Sequence, residues 1–311
     1  MKYFCIIPLI FALAMLPLHI CGQSRSLPLL EINPDARMTG MGGNQYGEAH
    51  SMLIYSNPTS SLYGEEKWNV SASTLIFPKQ EDLNDRNMFY AVSLSRRFGN
   101  HAIHAGMRYL GGLSVPMDEG NALKPADWTV DLAYSLRLFD HFSFNAGVSL
   151  IHSKVVEEAT TAAFNIGAYY RNSFNMGINA DYVVGINAFN MGPNLDYGQN
   201  YKEAKLPAGF GAGGELGMNL DDKNRLNVSL AGQYYCMPNE AKLFTENIGV
   251  EYGFNRMFFV RGGYKYAEHD YSSFAFGAGV NYRCLTFDVA HQRGLGSNEI
   301  NQTLLSLSFK F

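Results

Sequence analysis

The chain is short of charge, tryptophan and cysteine, and beyond its first two dozen residues it has no long apolar run. Charged residues make up 17% of its 311, against roughly a quarter in ordinary soluble domains. Lys and Arg number 24 against 28 Asp and Glu, a net charge of −4. A nucleic-acid binder normally carries a basic surplus, so nucleic acid is not expected as a partner. No segment after residue 22 approaches the ~18–20 apolar residues that a membrane-crossing helix needs. The other way across lipid is a closed barrel, because every backbone polar group must be paired inside the hydrocarbon. What the chain does have is 47% hydrophobic residues, with 21 Phe, 19 Tyr and 31 Gly beside 2 Trp. That composition excludes disorder and favours strands, where aromatic residues are enriched.

Residues 1–22 read as a secretory signal peptide. Lys2 supplies the positive start, residues 4–18 are almost continuously apolar, and Gly22 offers a small cleavage residue. The stretch is short for a membrane anchor. A lipoprotein signal on Cys21 is disfavoured by the bulky Ile20 just before it. Cys5 and Cys21 leave with the signal, so Cys236 and Cys284 remain. The strand pattern puts them at opposite ends of the fold, and two separate thiols are expected.

From residue 67 onward the chain alternates. Trp128, Val130, Leu132, Tyr134, Leu136 and Leu138 share one face, and Thr129, Asp131, Ala133, Ser135 and Arg137 the other. Leu305, Leu307, Phe309 and Phe311 alternate with Ser306, Ser308 and Lys310. A period of two means strands. Fourteen such segments fall at about 67–77, 87–98, 101–110, 127–138, 142–152, 160–171, 182–190, 206–218, 225–235, 244–253, 256–265, 273–282, 285–293 and 302–311. Most have the ~9–11 residues of a tilted transmembrane strand. Their connections alternate between long and short, as in outer-membrane barrels with short periplasmic turns. Residues 172–181 break that pattern. The chain ends on Phe311 inside an alternating strand, as outer-membrane barrels commonly do.

The expected fold is therefore all-β, a fourteen-stranded antiparallel transmembrane β-barrel. Its polar face, with Asp131 and Arg137, should line the lumen. Fourteen strands enclose more space than side chains alone fill. Residues 23–66, punctuated by Gly and Pro, are expected to occupy it as an N-terminal hatch. The division is then 1–22 signal peptide, 23–66 hatch and 67–311 barrel.

The hatch carries a family resemblance. Leu27-Pro28-Leu29-Leu30 and Asp35-Ala36-Arg37 lead into Gly40-Met41-Gly42-Gly43, and Asn57-Pro58-Thr59 follows. Later come Asn190-Met191-Gly192-Pro193 and Leu206-Pro207-Ala208. These stretches resemble the PorV/PorQ family, a branch of the FadL-like outer-membrane barrels, and lie closer to PorV. Thr59 stands where the family has Ala, and the usual acidic pair is reduced to Glu48. The resemblance implies a fourteen-stranded barrel with a hatch, in the outer membrane of a Gram-negative bacterium. PorV-like members are shuttle proteins of type IX secretion that deliver the C-terminal signal domains of cargo. FadL-like members pass hydrophobic molecules such as long-chain fatty acids. The expected partners are accordingly outer-membrane lipid and secretion-system proteins or cargo domains, with a hydrophobic small molecule as the alternative.

The remaining motifs carry less. Gly209-Phe210-Gly211-Ala212-Gly213-Gly214 matches a dinucleotide-loop spacing, but such a loop needs a helix after it, and strand-like sequence follows here. These glycines read as a crowded barrel wall. His269-Asp270 has no nucleophile motif beside it, and His101 and His104 fall on opposite strand faces, so neither an enzyme nor a cofactor or metal is expected. Glu81, Asp82, Asp85 and Arg86 make a charged first outer loop. Leu113, Val115 and Met117, with Tyr197 and Tyr201, are candidate partner contacts on long outer loops. In the hatch, Asp35, Arg37, Gly40, Gly42, Gly43, Asn57 and Pro58 are the candidate residues. The glycines should allow tight turns, Asn57-Pro58 should start one, and Arg37 is expected to pair with a lumen acid such as Asp131.

Overall fold

The computed structural model describes residues 27–78, 86–116, 122–175, 177–199, 201, 203–296 and 301–311. The expected signal peptide, Met117 and the acidic residues Glu81, Asp82 and Asp85 lie outside the described residues. The barrel strands are β1 (Trp68–Ile76), β2 (Met88–Phe98), β3 (His101–Gly111), β4 (Ala126–Phe139), β5 (Phe142–Lys154), β6 (Glu158–Asn175) and β7 (Asn179–Met191). They continue as β8 (Gly209–Asn219), β9 (Arg225–Tyr235), β10 (Leu243–Phe254), β11 (Phe258–Ala267), β12 (Ser273–Tyr282), β13 (Leu285–Gly294) and β14 (Gln302–Lys310). Each pairs antiparallel with the next, and β1 pairs with β14 to close a fourteen-stranded barrel. No helix among the described residues is long and apolar enough to cross a membrane.

Period-two patterning decides which way each side chain points. Along β2, Tyr90, Val92 and Leu94 stand outward and exposed, while Phe89, Ala91, Ser93 and Ser95 are buried inside. Around the circumference the outward positions are held by Val130, Ile166, Ile186, Val260, Phe276 and Leu307, an apolar belt of the kind lipid covers. The inner face is not uniformly polar, however. Leu75, Phe89, Leu110 and Leu304 point inward and form one buried cluster with hatch residues Leu29, Ala36 and Met52. Burying these side chains against each other removes apolar surface from the wet lumen, which drives hatch docking.

The strand boundaries depart from the sequence pattern mainly in β6, which is eighteen residues long. At one end it pairs with β7 through Asn175 and Asn179, so residues 172–181 are mostly strand and the connection is tight. At its other end the outer connection to β5 shrinks to residues 155–157. The hydrogen-bond ladder continues past the ends of the segment expected from alternation. Leu206, Pro207 and Ala208 precede β8 rather than begin it.

The wall is irregular at one place. Phe164 pairs with Met191 and Ile166 with Ala188, so Phe189 and Asn190 together face Asn165, a β-bulge. The Asn165 side chain accepts the N–H of Asn190 at 2.9 Å, and Asn190, at φ 54°, donates to the Pro207 carbonyl at 3.2 Å. Beyond the bulge the outer end of β6 has no strand on its β7 side. Residues 192–199 and 203–208 close the wall there instead: Thr161 donates to the Pro193 carbonyl at 3.0 Å, and Leu195 and Leu206 pack with Leu27 and Leu30 of the hatch. Cys236 follows β9 at the outer end and Cys284 lies in the β12–β13 turn at the other; both are free thiols.

Phe89→Ala should destabilise the barrel–hatch unit by about 3–5 kcal/mol, the usual penalty for emptying a buried aromatic site. Outward Phe276→Ala should change it far less. The temperature at which the folded barrel loses its fast electrophoretic migration checks both.

Candidate functional site

The hatch is short helical turns tied together by side chains. Asp35 caps α1 (Ala36–Gly40), accepting the Met38 N–H at 3.2 Å. Its second carboxylate oxygen accepts the hydroxyls of Ser51 at 3.0 Å and Ser56 at 3.3 Å. One carboxylate thus joins three hatch segments. Asn57 caps the turn that Pro58 opens, accepting the Thr59 N–H at 3.1 Å and its hydroxyl at 2.7 Å, and it donates to the Gly47 carbonyl at 2.9 Å. The Thr59 hydroxyl therefore has a use at the position where the family pattern carries Ala.

Arg37, 1% exposed, anchors this assembly to the wall. Its Nη2 donates to Glu215 on β8 and to Glu251 on β10, each at 2.9 Å, and its Nε to Glu251 at 3.0 Å. Arg261 on β11 holds the other side of Glu251 and reaches Asp288 on β13 at 2.6 Å. Asn227 on β9 donates to Glu251 at 2.7 Å. The result is a buried row, Glu215–Arg37–Glu251–Arg261–Asp288, crossing six adjacent strands. Glu48 adds its carbonyl to Arg37 and its carboxylate to Arg171.

The expected Arg37–Asp131 pair does not form. Asp131 does face inward, but on β4 at the opposite wall, where Arg108 of β3 (3.1 Å), the Tyr55 hydroxyl (2.7 Å) and the Thr129 hydroxyl (2.7 Å) satisfy it. Helix α1 packs on β11–β13, which aims Arg37 at the other carboxylates. Asp131 is instead a second hatch anchor, through Tyr55. Arg137 lies toward the end of β4, donating to Asn100 at 2.6 Å, with its guanidinium 5.6 Å from the Tyr63 ring.

Glycine permits the close approach. Gly42 has φ 83°, and a Cβ there would lie 2.9 Å from the carbonyl oxygens of Ile248 and Tyr264. A Cβ on Gly263 of β11 would collide with the Gly42 backbone. Gly43 also has positive φ, and Gly40 rests against Gly277 of β12.

Burial, with Asp288 nearby, pushes the Asp35 carboxyl above its ordinary range. Burial raises the Tyr46 hydroxyl to about 12. Burial, then the positive charges of Lys310 and Arg37, holds the His50 imidazole well below its ordinary value.

The outer-loop candidates divide. Leu113 and Val115 are half-buried, and Val115–Pro116 pairs with Ala122–Leu123 in a small hairpin. Tyr197 turns inward onto the Leu27–Leu30 cluster and donates to Ser153 at 2.7 Å. Tyr201 is exposed. Residues 209–214 form part of β8, and His104, buried between Ser95 and Ser135, is separated from outward His101. Among the described residues no group of His, Cys, Asp and Glu is arranged to hold a metal ion. Above the hatch lies a cavity of about 640 Å³, lined by hatch residues Ile32, Gln45 and Tyr55 and by wall residues including Asn145, Tyr169 and Gln233. Glu215, Glu251, Arg261, Asp288 and Arg108 were not singled out from sequence. Their signal was a charge at an inward strand position, and Glu215 and Arg108 are the only Asp, Glu, Lys or Arg of their strands.

Arg37→Ala leaves Glu251 and Glu215 short of a cation in the closed lumen and should destabilise hatch docking by about 3–5 kcal/mol. Limited proteolysis should then cut residues 27–66 while the barrel stays resistant. For His50 the folded value lies below the unfolded one of ~6.5, so the undocked hatch binds the proton more readily. Hatch docking should weaken as pH falls through ~6.5, and His50→Gln should remove that component, read as the difference between the two proteolysis–pH profiles.

The model of the family described as "Type IX secretion system protein PorV" matches residues 22–241. No curated protein matches the chain. Among solved structures, the P. putida toluene transporter TodX is similar at TM-score 0.60 and 11% identity, covering 88% of this chain and 97% of that one. The Ralstonia pickettii toluene transporter TbuX gives 0.57 and 12%, covering 91% and 99%. A Pseudomonas aeruginosa FadL homologue gives 0.53 and 11%, covering 89% and 98%. At such identities these likenesses show the fold alone, a FadL-like barrel. The family match, spanning most of the chain, shows that it belongs to the PorV family of type IX secretion system proteins.

Proposed function

We propose that this barrel sits in the outer membrane of a Gram-negative bacterium, exported by a signal at residues 1–22, and serves type IX secretion as a non-enzymatic binding and shuttle component. The observation that carries the reading is the hatch. Anchored through Arg37 on one wall and Tyr55 on the other, it lies across the lumen through which a polypeptide would have to pass. A barrel so plugged acts on secreted proteins by holding them, and its outer loops are the surface on which a cargo C-terminal domain or a machinery subunit docks.

A second reading, passage of hydrophobic small molecules, draws support from the wall. The bulge at Asn165 and the irregular closure by residues 192–199 and 203–208 give a place where an apolar molecule would leave sideways.

Isolation of the tagged protein from its native outer membrane, with bound proteins and lipids identified by mass spectrometry, separates the two. Stoichiometric recovery of secretion subunits, or of exported proteins sharing a C-terminal domain, is the expected result. Recovery of a fatty acid or other apolar molecule without a stoichiometric protein partner would overturn it in favour of transport.

A further inference from the structure

We propose that the cavity above the hatch is a binding site for a neutral oligosaccharide of two or three sugars. At about 640 Å³ it falls within the ~300–1,000 Å³ typical of small-molecule sites. Its lining mixes apolar residues such as Leu30, Ile32, Phe77, Leu110 and Leu243 with a large number of side-chain amides. Eleven of the lining residues are Asn or Gln, contributed by the hatch, by the starts of strands and by most of the wall from β5 to β14. Its charged residues are Glu31, Asp131, Arg108 and Lys265, which sum to zero, and Asp131 is already bonded to Arg108 at 3.1 Å.

Each class of ligand meets this lining differently. An apolar molecule would offer no bond to the lining amide atoms that have no partner within the protein, Asn33 Nδ2 and Asn145 Oδ1, at about 1–3 kcal/mol for each group left unpaired. A phosphorylated or carboxylated molecule would find no surplus of positive charge. A sugar offers hydroxyls around its edge, each both donor and acceptor, and amides supply both functions in turn. Its C–H faces need flat apolar partners, and the cavity provides them in Phe189 and Tyr235, packed edge to face at 5.2 Å, and in Tyr55 and Tyr271. The site lies within the lumen, apart from the outer-loop surface assigned to protein partners, and it stands whichever role that surface has.

The test uses the full-length barrel in a detergent without a sugar headgroup. Maltotriose, cellotriose and chitotriose are offered separately, with toluene and acetyl-trialanine amide as comparators, and binding is read by saturation-transfer NMR and calorimetry. At least one trisaccharide should bind, and toluene and the peptide should not displace it. Gln233→Leu and Gln302→Leu should each weaken that binding about fivefold, one hydrogen bond's worth, with unchanged heat-dependent migration of the barrel. No binding by any of the three sugars, displacement by toluene or peptide, or full binding retained in both variants would overturn the proposal.

Discussion

Everything inside this barrel depends on one buried cation. Arg37 lies on a helix of a single turn, which has no stability of its own in water. Its guanidinium is surrounded by carboxylates from two strands and by a hatch carbonyl. Taking such charges out of water is expensive, and the arrangement holds only because almost every hydrogen-bonding position is filled. Arg261 completes the compensation by sharing Glu251 and holding Asp288. The row of alternating charge therefore fixes the hatch position and at the same time ties together strands far apart in sequence. Asp35, next in sequence, closes the hatch on itself, so the same short motif both shapes the plug and attaches it.

Shape supports charge. The hatch lies flat against β10–β12 because the facing wall positions are glycine, and a Cβ on Gly263 would meet the Gly42 backbone directly. On the other side, Leu29 and Met52 meet inward Leu75, Phe89 and Leu304. The lumen thus has a polar, charge-clamped side and an apolar, packed side, and the plug is matched to both.

The strands were legible in the sequence because a two-sided sheet between lipid and lumen writes its orientation at every second residue. Fourteen segments and their order follow from that alone. What failed to show were features set by contact across the lumen. The partner of Arg37 could not be chosen among inward acids, since nothing in the pattern says which wall α1 packs on. Asp131 was the most visible acid, yet Arg108 on the adjacent strand already satisfies it. The ends of β6 were not visible because strand pairing outlasts the apolar alternation. Tyr197 carried an apolar ring in an outer loop, and only the fold shows that it turns inward to the hatch. Asn57-Pro58 was legible as the start of a turn, because a turn is a local matter of neighbouring residues, whereas the capping role of Asp35 came only with the fold.

A hatch held on both walls should close the lumen of the resting barrel to ions. Electrical recording from the purified barrel in planar lipid bilayers tests this most directly. The membrane should stay silent at moderate voltage and neutral pH, without the steady ohmic steps of an open porin. Stable, large conductance steps from the unmodified protein would contradict it.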